Sequence, residues 1–171
     1  MPFYEVSHAY PLTSAQEDEL AQAITKIHLS KFPLVPTFFV NVAFKDVSRR
    51  SSFVGGKRHR ANHLTGRVRL GDRTPADFED MRDQLEEAWN KIVLKPAQDK
   101  LGAKEGAKYE LQTLVLSPGN PIGKEGGFEI PIAGQEKAWL EKHWTEFKKR
   151  ADAGDEQFVD MVKHVEAQGK L

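Results

Sequence analysis

The chain has 171 residues, 39% of them hydrophobic and 29% charged, with Lys plus Arg and Asp plus Glu balanced at 25 each and no cysteine. That length buries one core and is short for two, and a net charge of zero supplies no global field for nucleic acid or an anionic membrane. The absence of thiols excludes cysteine nucleophiles, disulfides, iron–sulfur clusters and cysteine zinc sites. With no apolar run of membrane-spanning length and no basic-then-apolar leader, a single cytoplasmic domain over residues 1–171 is expected.

Met1 and Pro2 precede a strand predicted over Phe3 to His8, a place where proline is tolerated because the first strand residue need not donate to the ladder. Thr13 and Ser14, followed by Gln16 and Glu17, form a capping-box pattern. The apolar side Leu20, Ala21, Ile24 and Ile27 then predicts a helix ending near His28. Pro33 and Pro36 punctuate, and TFFVNVAF at Thr37 to Phe44 reads as a buried strand, closing a first βαβ unit over 1–45. Residues 46–61 are basic, and Phe53-Val54 followed by Gly55-Gly56 predicts a short hairpin there.

A second unit is expected over 62–117, with a strand at His63 to Leu70 and another at Tyr109 to Leu116. Between them Thr74 reads as an N-cap with Pro75 at the first helical position, and Phe78, Met81, Leu85, Ala88, Trp89 and Ile92 recur at helical spacing. The similar caps of the two units suggest a pseudo-repeat. The expected fold class is α+β: two consecutive βαβ units forming a four-stranded sheet with two helices on one face. Residues 118–171 hold a glycine- and proline-rich closing loop and helices over Gln135 to Arg150 and Asp155 to Gln168. Trp139, Leu140, Trp144 and Phe147 of the first of these read as packing.

Several motifs are set aside. GNPIGKE at Gly119 to Glu125 is one residue short of a phosphate loop and lacks its Ser or Thr. His59 and His63 straddle a loop without the glutamate pattern of a helical zinc site, so no metal is expected. No nucleophile elbow supports serine hydrolysis. The cluster Arg49, Arg50, Lys57, Arg58, His59 and Arg60 reads as a solvated turn with at most a secondary anion-facing role, and no nucleic-acid or membrane partner is expected.

What remains is Pro2, a secondary amine if Met1 is trimmed; His28 at a helix end; Arg69 and Arg73 around a strand-to-helix turn; and Glu125 in the closing loop. Two guanidiniums beside the positive end of a helix suit a carboxylate.

These residues resemble the tautomerase superfamily, in particular the group similar to cis-3-chloroacrylic acid dehalogenase that includes fungal oxalocrotonate tautomerase-like chains. The resemblance is carried by MPFYEV, AITKIH at Ala23 to His28, FVNVAF at Phe39 to Phe44, FVGG at Phe53 to Gly56, RVRLGDRT at Arg67 to Thr74 and GFEIPIAGQEKAWL at Gly127 to Leu140. It implies a homotrimer of double-βαβ subunits that needs no cofactor and acts on a small carboxylate. It further implies Pro2 as the catalytic group, Glu125 as the acid that helps activate water, and His28, Arg69 and Arg73 as substrate-binding residues. Two departures stand out. Three residues rather than the family's two separate Arg69 from Arg73, Asp72 being the extra one, and Leu116 stands near the place of the tyrosine that works with the glutamate.

The function expected is keto–enol tautomerisation of 2-oxo or enol carboxylic acids with Pro2 as general base. One alternative is water addition or dehalogenation of 3-haloacrylate-like acids, with Pro2 as acid and Glu125 directing water. The alternative of another class is a non-catalytic oligomeric binding module, which retention of Met1 would favour.

Overall fold

A computed structural model describes residues 2–71, 73–119, 122–167 and Gly169. Met1, Asp72 and Gln168, each of which carries an expectation above, lie outside them. Strand β1 (Phe3–His8) alternates between faces: Tyr4, Val6 and His8 are buried and the intervening residues are partly exposed. Helix α1 (Ser14–Lys31) starts on the expected capping box, with Gln16 N–H on the Thr13 hydroxyl and Thr13 N–H on the Gln16 side chain. It runs one turn past His28, and Leu20, Ile24 and His28 form its buried stripe.

The expected strand at Thr37 is shorter than the sequence suggests. Residues Thr37–Phe39 turn as a 3-10 helix, closed by Phe39 N–H on the Pro36 carbonyl and Val40 N–H on that of Thr37, and β2 covers Asn41–Asp46. Proline's fixed φ starts that turn. It swings Phe38 and Phe39 off the sheet into an aromatic cluster with Trp139 and Phe158.

The basic segment forms the expected hairpin, β3 (Phe53–Val54) with β4 (Lys57–Arg58), and β5 follows at Asn62–Arg69. Helix α2 (Pro75–Trp89) has Thr74 and Asp77 as a capping box. It then widens through a π turn at Asn90–Leu94 into α3 (Lys95–Leu101). Pro96 explains the widening, since it has no N–H for the preceding turn. The Ile92 carbonyl is instead taken by Gln16 Nε2 at 2.9 Å, which ties the middle of this crossover to the start of α1. The short α4 (Ala103–Gly106) and a 3-10 turn (Ala107–Tyr109) lead into β6 (Leu111–Gly119).

The sheet order is β2-β1-β5-β6, with β1–β2 and β5–β6 parallel and the central pair β1–β5 antiparallel. This is the arrangement of two βαβ units side by side, with α1 and α2 packed together over one face. Gly66 sits opposite both Tyr4 and Leu116, and a Cβ there would lie 2.7 Å from Leu116 and 2.8 Å from the Tyr4 ring. Glycine is what lets the phenol lie across β5. A last hairpin, β7 (Lys124–Glu125) with β8 (Phe128–Glu129), precedes α5 (Glu136–Asp152) and α6 (Glu156–Ala167). Trp139, Leu140 and Phe147 of the expected stripe are buried with Phe158 of α6, and Trp144 packs against the same core partly buried, so the aromatic stripe is packing. Among the described residues no helix is long and apolar enough to cross a membrane.

Candidate active site

Pro2 is buried at the start of β1, where its carbonyl accepts the Asn41 backbone N–H at 3.1 Å. The Asn41 side-chain amide donates to the Phe39 carbonyl at 3.2 Å and to Glu125 Oε1 at 2.8 Å. A backbone carbonyl can only accept, so Phe39 fixes which way that amide faces. One residue thus ties the proline to the carboxyl group.

Glu125 is presented by the β7–β8 turn, Gly126 and Gly127, whose φ values of 57° and 89° favour glycine. A side chain at Gly126 would also approach Phe158 to 3.1 Å. Arg150 of α5 closes over the turn: it donates to the Gly126 carbonyl at 2.6 Å and lies 4.7 Å from the Phe158 ring centre and 5.4 Å from that of Phe128. The C-terminal helices therefore hold the acid in place. Glu125 Oε2 is buried without a hydrogen-bond partner among the described residues. Burial pushes its carboxyl pKa up, opposed by the Asn41 hydrogen bond and by Arg69.

His28 is 1% exposed and its Nδ1 stands 2.8 Å from the Tyr4 hydroxyl. The phenol also lies 3.6 Å from Met81 Sδ, so its single proton serves either the thioether or the imidazole, and the imidazole proton sits on Nε2 when the phenol donates to Nδ1. Burial, reinforced by the nearby charges of Arg73 and Arg69, pushes the histidine down to about 3, so it is neutral at physiological pH. Burial also drives the Tyr4 phenol upward. The pair is therefore a neutral, hydrogen-bonded unit. Its ring neighbour Phe32, with centroids 4.9 Å apart, carries the Arg73 guanidinium on its face at 3.5 Å.

The two arginines differ. Arg69 is 2% exposed, and its guanidinium donates to Glu136 Oε1 at 2.7 Å and to the Pro131 carbonyl at 2.8 Å. Glu136 is equally buried, and its second oxygen accepts the Gly134 N–H at 2.7 Å. Arg73 is half-buried and donates to the Arg69 carbonyl. Burial, followed by repulsion from Arg69, lowers its pKa. The two face different spaces. Arg69 lines a cleft of about 520 Å³ with Lys124, Glu129, Ile130 and Ile132, while Arg73 lines a cavity of about 180 Å³ with Phe32, Val35, Gly71 and Glu136. Ala133, on the strap between Pro131 and Glu136, borders both.

All five residues singled out in the sequence fall in one region. Pro2 connects to Glu125 through Asn41, Arg69 acts electrostatically on Glu125, and both arginines act on His28. The arginines do not converge on one open space. Sequence reasoning missed Asn41, Tyr4 and Glu136. A lone polar residue inside the apolar strand FVNVAF was the signal for Asn41, since a polar side chain in such a strand needs a partner. Glu136 stands in the first turn of a helix, where an acidic residue is ordinary and signals nothing.

A family model described as "Putative oxalocrotonate tautomerase enzyme" matches residues 1–149. No curated protein matches the chain. Among solved structures it is similar to N1, a member of the cis-3-chloroacrylic acid dehalogenase family, with a TM-score of 0.57 and 22% identity over 81% of this chain and 90% of that one. It is similar to RhCC from Rhodococcus jostii, with a TM-score of 0.54 and 22% identity over 82% and 95%. It also resembles the wild-type fused 4-OT F6, an asymmetric trimer, with a TM-score of 0.51 and 18% identity over 74% and 94%. At these identities the structures speak for the fold. The sheet order, the two crossovers and the match over 149 of 171 residues lead to one assignment: the chain belongs to the oxalocrotonate tautomerase-like family of the tautomerase superfamily.

Proposed function

We propose that the chain is a cofactor-independent keto–enol tautomerase of small 2-oxo or enol carboxylic acids, with Pro2 as general base after removal of Met1. The observation that carries this reading is the grouping of a buried Pro2, the Asn41–Glu125 pair and a half-buried Arg73 at one end of the sheet in a chain of this family. A free α-amine has a reference pKa of about 8, and burial disfavours its protonated form, which brings it toward neutrality as a base. Arg73 holds the substrate carboxylate. His28, neutral and fixed by Tyr4, offers a hydrogen bond rather than a charge, and Pro2 moves the proton between oxygen and carbon.

The trimeric fused 4-OT supports a homotrimer for this chain, and the cytoplasm remains the compartment proposed. A second reading has its own support. Glu125 Oε2, without a partner among the described residues, would accept a hydrogen bond from a water molecule, which favours hydration or dehalogenation, while Leu116 in place of the family tyrosine argues against it. Ketonisation of phenylenolpyruvate by untagged protein, compared with Pro2→Ala, tests the first reading. The variant keeps a primary amine, so its rate should fall without vanishing, and an unchanged rate would remove Pro2 from the mechanism.

A further inference from the structure

The strap between Pro131 and Glu136 places a carboxylate of the chain itself on Arg69. Glu136 holds that guanidinium at 2.7 Å, the Pro131 carbonyl takes a second N–H, and the remaining oxygen of Glu136 is satisfied by Gly134. Both partners of the pair are 2% exposed, and Glu136 lines the Arg73 cavity but not the cleft that Arg69 borders, so a ligand in the Arg73 cavity meets the carboxylate rather than the Arg69 guanidinium. Glu136 therefore stands between the space open to Arg73 and the guanidinium of Arg69.

From this we infer that Glu136 is a specificity-determining residue: by occupying Arg69 it leaves Arg73 as the single anchor, and the chain selects monocarboxylic over dicarboxylic acids. The inference rests on the carboxylate-binding reading given above and narrows it. The charges agree with it. Arg69, Arg73 and Glu136 together carry one net positive charge, which one substrate carboxylate neutralises, whereas a dicarboxylate would bring an unpaired anion into a partly desolvated site.

Isothermal titration of the untagged chain with phenylacetate and with phenylsuccinate separates the possibilities, because neither probe is turned over. The wild type should bind phenylacetate more tightly. Arg73→Ala should weaken phenylacetate by about 30-fold, a loss of about 2 kcal/mol. Glu136→Gln should raise the affinity for phenylsuccinate by about tenfold while leaving phenylacetate within about twofold. Arg69→Met should leave phenylacetate binding close to wild type. The inference is overturned if the wild type prefers phenylsuccinate, or if a folded Arg69→Met loses phenylacetate as Arg73→Ala does. Should Arg69→Met fail to fold, Glu136→Gln decides: an unchanged preference between the two probes overturns it. Binding in the expected pattern without any ketonisation would sustain this inference and sink the tautomerase reading alone.

Discussion

Two carboxyl groups stand near the arginine pair, and they are treated in opposite ways. Glu136 has both oxygens paired, one on a guanidinium and one on a backbone N–H. Glu125 has one oxygen on a neutral amide and the other buried with nothing to bind among the described residues. A fully paired buried ion pair is held by geometry and breaks expensively when one partner is removed. A half-paired acid is a local cost, and such costs concentrate where chemistry is done. The strap is thus built to stay as it is, and the β7–β8 hairpin keeps a group in reserve.

The largest expected effect would come from breaking the satisfied pair. Glu136→Ala leaves the Arg69 charge buried and uncompensated, and should lower unfolding stability by about 3–5 kcal/mol in urea denaturation. A loss under about 1 kcal/mol would mean that Glu136 is not the anchor described. Next, Arg73→Ala should reduce kcat/KM for phenylenolpyruvate by about 30-fold, about 2 kcal/mol, chiefly through KM. Smaller still, Glu125→Gln should leave tautomerisation nearly intact, since that reaction needs no activated water. If Glu125→Gln abolished turnover while Arg73→Ala did nothing, the roles assigned to them would be wrong.

The pH dependence sharpens the same contrast. The folded pKa of Glu125 is raised, so the native state binds more protons than the unfolded chain in the window just above the ordinary carboxyl range. Its contribution to stability therefore falls as pH rises through that window, and Glu125→Gln should gain on the wild type over the same interval. His28 has the opposite sign. Its folded pKa is lowered from 6.5 to about 3, so its contribution is fully present above 6.5 and is lost as pH falls from there toward 3. Urea midpoints of His28→Gln and wild type should converge on acidification, and a constant gap across that range would contradict the buried neutral imidazole.

The fold was legible wherever local chemistry speaks for itself. The capping box at Thr13, the N-cap and proline at the start of α2 and the glycine pair at the β3–β4 hairpin marked elements that the structure contains, whereas the β7–β8 hairpin lies in a stretch that reads as a closing loop. Less legible were features set by distant partners. Phe38 and Phe39 have strand-like side chains, yet Pro36 and the pull of Trp139 and Phe158 turn them into a 3-10 segment. The break after Trp89 follows from Pro96, but the group that takes up the freed carbonyl is Gln16, 76 positions earlier. Pro2, His28, Arg73 and Glu125 were legible as candidates from residue type and the family resemblance. The state of Arg69 was not, because its partner lies 67 positions away, at a helix start where an acid draws no notice.

The most direct test of the account is the intact mass of the untagged protein that ketonises phenylenolpyruvate. The mass expected is that of a chain beginning at Pro2, with the secondary amine free to act as base. Full activity in protein whose mass still includes Met1 would contradict it, because the Pro2 nitrogen would then be an amide without basicity.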